Sequence, residues 1–431
     1  MPSLSLYPLP DLNSYDISPV TGFLPEQQPL ERLPSYFDLW ENVVSNIVEL
    51  LEQREFRLSV NKMPLLSCDR LKDDRAYRRA YSVLGYIAHA YIWADEAYVN
   101  RLPTQLARPW VEVSDYLGLL PIASYSGLIL WNWKFVNSKH PQTISSFEPE
   151  NIEILNTFTG SSNECWFYLL SIYFEYIGAP CITTGLKAIE YARKDNPRKV
   201  IQNINTLTKQ IEVLKKLLTR MHEHCDPSFF YTKLRPFLAG WKNMKNAGLE
   251  GVYYGDSSKK LRVYSGGSYA QSSLIQTLDL ILNIKHKPCC GGHKSKENDS
   301  FSNEMKKYMP RKHRDFLNHL SKVNLLRDYA LNNAETCPEL LRAYNSAVTM
   351  MKQFRDGHIQ LVTRYIIIQA RNAQKCTLPN SKTPKIGLAN AKFQKSSELR
   401  GTGGTELIPF LKRCRDCLLY TSDAADDTPC V

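Results

Sequence analysis

The stretch RDGHIQLVTRYI, residues 355–366, decides how this chain is read. Around it Val348, Met351, Phe354, His358, Leu361, Val362 and Tyr365 recur at steps of three and four, the spacing of one helical face. The face is apolar, so the helix belongs in a core and His358 points into that core. Arg355 lies three residues earlier, on an adjoining part of the same face. A histidine so placed is commonly a core residue whose nitrogens bond to backbone or to a hydroxyl. The alternative is a ligand to a metal held among helices, and position alone leaves both open.

Outward from this helix the pattern is mainly helical. Residues 1–35 are rich in Pro, Leu and Ser and read as an extended lead-in. Amphipathic helices are expected over residues 41–55, 73–95 and 200–224. A helix apolar on most sides is expected over 165–177, and the helix carrying His358 over 338–370. Asp226-Pro227 is a break and N-cap signal before a helix over 229–239. Residues 252–254 and 262–264 suggest a short β-ribbon, followed by a helix over 269–284. Pro, Asn, Gly, Ser and Thr cluster at 145–162, which places a domain boundary there. Strand signals are otherwise few and no repeat is visible. The fold class is all-α, with a smaller domain at 1–155 and a larger one at 156–413. The final residues, 414–431, change composition abruptly and read as a tail foreign to the fold.

With 431 residues and a hydrophobic fraction of 43%, the chain can bury a large core. The uncharged run 116–133 is long enough to raise a membrane question, but Gly118, Pro121, Ser124, Gly127 and Asn132 favour a buried loop and helix. The N-terminus shows no apolar h-region. A soluble, cytoplasmic, monomeric protein is the expectation. Eleven cysteines at irregular spacing suit reduced thiols. The formal charge is +11, but residues 285–314 and 371–400 each carry a net +6. These are polar stretches with little aromatic interleaving, so they read as solvated loops and no nucleic-acid partner is expected. The composition of 372–398 predicts a segment that does not pack.

A zinc site would need three or four N, S or O ligands, and the sequence does not gather them. His222 and His224 lie two apart, on different sides of a helix. Cys289-Cys290-Gly-Gly-His293 sits in a basic loop, and Cys414-x-x-Cys417 has no matching pair. A haem needs a single histidine on a helix in an apolar pocket, and Arg355 would suit one of its propionates. The small-residue turns SGGS (265–268) and GTGGT (401–405) read either as flexible turns or as loops whose backbone closes on a ligand. Phe230 and Arg235 suit an amino acid's ring and carboxylate, or ordinary packing and an ion pair.

Together these pieces resemble the indoleamine 2,3-dioxygenase family. The segments that carry the resemblance include NKMPLLSC (61–68), LPTQLARPWVEVS (102–114), LPIASYSGLILWNWK (120–134), FFYTKLRPFLAGWK (229–242), YSGGSYAQSS (264–273), KKYMPRKHRDFL (306–317), RDGHIQLVTRYI (355–366) and RGTGGTELIPFLK (400–412). They follow the family's order from about residue 19 to 413.

The resemblance implies a two-domain all-α fold with one haem b between the domains, active as Fe2+. It implies His358 as the iron ligand, Arg355 paired with a propionate, Asp279 supporting the histidine side through a hydrogen-bond network, and Ile366 against the cofactor. Tyr125, Phe167, Ser171, Phe230, Leu238, Gly267 and Tyr269 would line the indole pocket. Arg235 would bind the substrate carboxylate, with Arg235 and Ser171 the groups nearest the chemistry, and Thr402 would meet the substrate ammonium. The implied reaction inserts O2 across the C2–C3 bond of L-tryptophan to give N-formylkynurenine. That is the first step of the kynurenine pathway toward NAD, and it needs an external electron donor to keep the iron ferrous. Tyr269 departs from the family, which usually has alanine there. The phenol could crowd the indole, weaken tryptophan binding, or hydrogen-bond to bound O2. Tyr168 and Leu128 also differ in the same wall. The competing reading is a haem protein of the same fold that carries O2 without turning over tryptophan.

Overall fold

The helix around His358 begins at Pro338, whose missing N–H costs nothing at the first helical position. In the computed structural model it runs Pro338–Val362. The model describes residues 7–94, 98–136, 147–242, 244, 248–255, 260–284, 303–375, 407–418 and 421. The principal helices are α1 (Asp74–Trp93), α2 (Thr104–Leu117), α3 (Ser162–Arg193), α4 (Pro197–Thr219), α5 (Ser273–Ile281), α6 (Arg311–Val323), α7 (Pro338–Val362) and α8 (Leu407–Asp416).

α7 buries Leu340, Tyr344, Ala347, Val348, Met351 and Phe354 along one face. Its main partner is α4, where Val200, Ile204, Leu207, Ile211 and Leu214 alternate steps of four and three and are all fully buried. The other flank of α4 packs on α3. α5 rests on α3 and α6, and α8 lies along α7. Gly178 and Gly185 of α3 let α5 approach closely: a Cβ at Gly185 would stand 2.2 Å from the Ile281 side chain. On the N-terminal side α1 packs on α2 and buries nearly its whole circumference. A buried ion pair, Arg79 Nη2 to Glu41 Oε2 at 2.6 Å, ties α1 to the preceding short helix Asp38–Ser45. One continuous apolar core reaches from Ile17 to Leu418.

Five short strands are described: β1 (Arg101–Leu102), β2 (Trp133–Phe135), β3 (Ile152–Ile154), β4 (Val252–Tyr254) and β5 (Leu261–Arg262). β4 pairs with β5 antiparallel, as the expected ribbon, and with β1 parallel; β2 pairs with β3. The all-α class therefore stands, with minor strand pairing added.

Several boundaries differ from the sequence expectation. Residues 41–55 do not form one helix; they divide into Asp38–Ser45 and Ile47–Glu52. The 165–177 helix extends to 32 residues, through Pro180, with buried residues along most of its length. It is also the one described helix long and apolar enough to cross a membrane, yet about two thirds of its apolar window is buried within the protein. The 269–284 helix begins as a 3-10 turn, Tyr269–Gln271, before α5. The long helix past His358 relaxes into a π turn, Thr363–Ile367, then resumes as Ile368–Lys375.

Candidate active site

Three single-turn π segments lie in the described chain: Ser126–Leu130, Phe230–Leu234 and Thr363–Ile367. Such turns displace one residue from the helical register and are frequent at functional sites. Here each delivers side chains to one cavity: Leu128 and Ile129, Phe230, and Tyr365 with Ile366. Tyr125, Phe167, Ser171, Leu238 and Gly267 complete the same wall. A second cavity adjoins it, lined by Phe174, Ile275, Asp279, Phe354, Arg355 and Cys414 among others. The two enclose about 1150 and 1080 Å³ of empty space, mouths included. They share Tyr269, Ala270, His358 and Leu411, so His358 stands at their junction.

His358 does not look like a core histidine. His89 does: its Nδ1 lies 2.6 Å from the Phe237 carbonyl, and its Nε2 accepts from the Ala123 N–H at 3.1 Å. Among the described residues neither ring nitrogen of His358 makes such a bond, and the imidazole faces cavity space. Burial, with Arg355 adding to it, lowers its pKa to about 4. At neutral pH the ring is uncharged and has a lone pair to offer. Arg355 is itself fixed. Its Nη2 donates to both Asp279 oxygens at 2.5 and 2.6 Å, and Nη1 donates to the Cys414 carbonyl. Asp279 thus acts on this region by holding the arginine.

The SGG turn is set by backbone contact. A Cβ on Gly266 would fall 2.1 Å from the Leu238 carbonyl oxygen, and one on Gly240 would fall 2.3 Å from the Gly266 nitrogen. Gln271 locks the turn by donating to the Gly266 carbonyl (2.9 Å) and accepting from the Tyr125 N–H (2.9 Å). Gly267 and Leu238 reach the cavity wall from opposite sides of this crossing.

Arg235 is completely buried on the short helix Arg235–Leu238, its guanidinium 5.2 Å from the Tyr231 ring centroid. Burial lowers its pKa. It sits between the cavity residues Phe230 and Leu238 in sequence but is not itself in the lining. Tyr269 projects between Ser171, whose Oγ is 2.6 Å from the phenol oxygen, and the His358 ring, edge-on at 6.1 Å between centroids. Tyr168, adjacent to Phe167, also lines the cavity. Thr402 and the GTGGT turn lie outside the described residues, as do Cys289, Cys290 and His293. Cys414 and Cys417, which the sequence left without a role, line the second cavity. No cluster of three or more metal-ligating side chains exists among the described residues, so a polydentate zinc site has no support there.

The sequence model described as indoleamine 2,3-dioxygenase matches residues 11–419. The chain belongs to the indoleamine 2,3-dioxygenase family. It is 43% identical to the indoleamine 2,3-dioxygenase of Saccharomyces cerevisiae over 97% of this chain and 95% of the relative. It is 36% identical to the indoleamine 2,3-dioxygenase acdA of Aspergillus candidus, over 95% and 97% respectively. A third relative, 34% identical over 96% and 98%, is the 6-hydroxytryptophan 2,3-dioxygenase fscD of Fusarium equiseti. As a member of the indoleamine 2,3-dioxygenase family the chain is an oxidoreductase of the dioxygenase type, acting in tryptophan catabolism.

Missed in the sequence were the three π turns and the Gly240–Gly266 crossing. A π turn has no residue signature. The glycines were visible, but the segment each one would touch was not.

Proposed function

We propose that the chain cleaves the indole C2–C3 bond of L-tryptophan with O2 to give N-formylkynurenine, using one haem b held in the joined cavities. The observation that carries the reading is the shared position of His358: a neutral imidazole, without a hydrogen-bond partner among the described residues, where two mostly apolar cavities meet. The donor set fits a haem, which takes one axial imidazole, apolar walls and a cation for its carboxylates. His358 would hold the iron, Ile366 would pack against the macrocycle, and Arg355, braced by Asp279, would face a propionate. Ferrous haem supplies the binding and activation of O2, with an external electron donor keeping it reduced.

The rest is the work of this chain's residues. Phe167, Phe230, Tyr125, Leu128 and Leu238 form an apolar wall that would exclude water from a bound indole. Gly267 leaves room at its floor, since a Cβ there would meet Leu128 at 2.6 Å. Arg235, one turn behind Phe230, would turn toward the substrate carboxylate, a charge-assisted contact. Thr402 would meet the ammonium. The hydroxyl of Ser171 holds no proton free to give, because it donates to the Phe167 carbonyl at 2.7 Å; its part is positioning. We place the protein in the cytoplasm as a monomer.

The deciding assay incubates the reduced, haem-loaded chain with L-tryptophan and O2 and follows N-formylkynurenine absorbance. Haem uptake without product, with reversible O2 binding instead, would leave an oxygen carrier. The packing of the Tyr269 ring into the cavity is what favours that second reading.

A further inference from the structure

Six hydroxyl-bearing residues line the cavity on the indole side, and three of them give their protons to protein acceptors. Tyr125 donates to Glu175 at 2.9 Å, and Tyr365 donates to the Cys225 carbonyl at 2.6 Å. Ser171 donates to the Phe167 carbonyl at 2.7 Å. Ser268 accepts from the Ala270 N–H as the cap of its turn. Tyr168 Oη is buried with no hydrogen-bond partner among the described residues, but Tyr168 lines the indole-side cavity and not the second one. Tyr269 differs. Its oxygen lies 2.6 Å from Ser171 Oγ, whose own proton is committed to a carbonyl, a better acceptor than a phenol. A phenol is also a better donor than an aliphatic hydroxyl. In this pair Tyr269 therefore donates and Ser171 accepts.

Tyr269 is also the hydroxyl residue that lines both cavities, beside His358. Its ring stands on the turn between Ser268 and α5, tilted against Tyr125 and edge-on to Phe174, at centroid distances of 5.7 and 6.3 Å. Both cavities that reach His358 therefore have this residue in their wall.

We propose that Tyr269 is the hydrogen-bond donor to a small diatomic ligand bound on the cavity side of His358. Ser171 is the acceptor that takes the phenol proton when no such ligand is present. The inference rests on haem occupying the joined cavities and adds a polarising donor to the ligand side. Ser171 thereby becomes a positioning residue, acting through Tyr269.

The test uses the full haem-loaded chain, reduced and placed under carbon monoxide, with the C–O stretch read by infrared. O2 dissociation is timed in parallel by stopped flow. Tyr269→Phe keeps the ring and removes the donor. The C–O stretch should rise, and O2 should leave about tenfold faster, the effect of one neutral hydrogen bond. Ser171→Ala keeps the donor, so the low stretch should persist. If Tyr269→Phe leaves both readouts at wild-type values, or if only Tyr269→Ala moves them, the hydroxyl is not the donor and the inference fails while the haem reading stands. A wild-type chain that takes up no haem, seen as a missing Soret band, overturns both.

Discussion

At His358 burial sets what the imidazole can do. A ring with pKa about 4 is neutral at pH 7 and keeps its lone pair, whereas an exposed histidine would be partly charged. His358→Ala should therefore largely abolish the Soret band of the purified protein while leaving far-ultraviolet dichroism intact. Normal haem content in that variant would remove His358 as the ligand. Arg235 poses the opposite problem, a guanidinium with no exposed surface. Arg235→Ala should raise KM for L-tryptophan by roughly 1.5–3 kcal/mol of lost charge-assisted contact, on the order of 10- to 150-fold. Unchanged kinetics would leave it as wall structure under Tyr231. From sequence, the helix face turned His358 toward the core; in the fold it is half-buried and faces the cavities. Periodicity could not show whether the ring was satisfied, because that depends on groups distant in sequence. The partners of His89, Phe237 and Ala123, illustrate the distance.

Elements explain where sequence reading works and where it stops. α4 and α7 were legible because each buries a single stripe, and a stripe leaves a 3.6-residue period. α3 was under-read. Much of its circumference is covered, so its burial carries no clear period, and it continues through Pro180 well beyond 177. The π turns were invisible for a related reason: they shift register without changing composition. The SGG turn shows the limit most clearly. Its glycines were noted, but their cause is a second strand of backbone, 238–240, passing at contact distance. Gly266→Ala puts a methyl 2.1 Å from the Leu238 carbonyl oxygen, where backbone cannot yield as a side-chain tip can. We expect about 1–3 kcal/mol of destabilisation by urea denaturation. We also expect weaker tryptophan binding, because Leu238 and Gly267 flank the crossing. A variant with wild-type midpoint and KM would show that the turn can relax without moving the wall.

For the whole molecule, stability against pH is set by buried groups of opposite sign. His89, His313 and His358 are all lowered to about 4, chiefly by burial. The unfolded chain takes up their protons near 6.5 and the folded chain does not, so stability falls as pH drops from 6.5 toward 4. Glu175 works the other way. Its Oε1 accepts from Tyr125 and Ser272 (2.9 and 2.6 Å), while Oε2 is buried with no hydrogen-bond partner among the described residues. Burial raises it to about 7 against a model-peptide value near 4.5. The folded state then holds a proton that the unfolded state releases. The stability this provides is whole below 4.5 and is lost as pH rises through 7. Glu175→Gln keeps an amide oxygen for Tyr125 and Ser272 but cannot ionise. Its stability relative to the parent should therefore improve steadily between pH 4.5 and 7 and level off above, measured as urea midpoints across that range. The acid-side loss should stay, because the histidines are untouched. A difference between the two proteins that is flat from pH 4.5 to 8 would mean that Glu175 ionises normally in the fold. The core beside Tyr125 would then have to hold a carboxylate charge that its present hydrogen bonds only half satisfy.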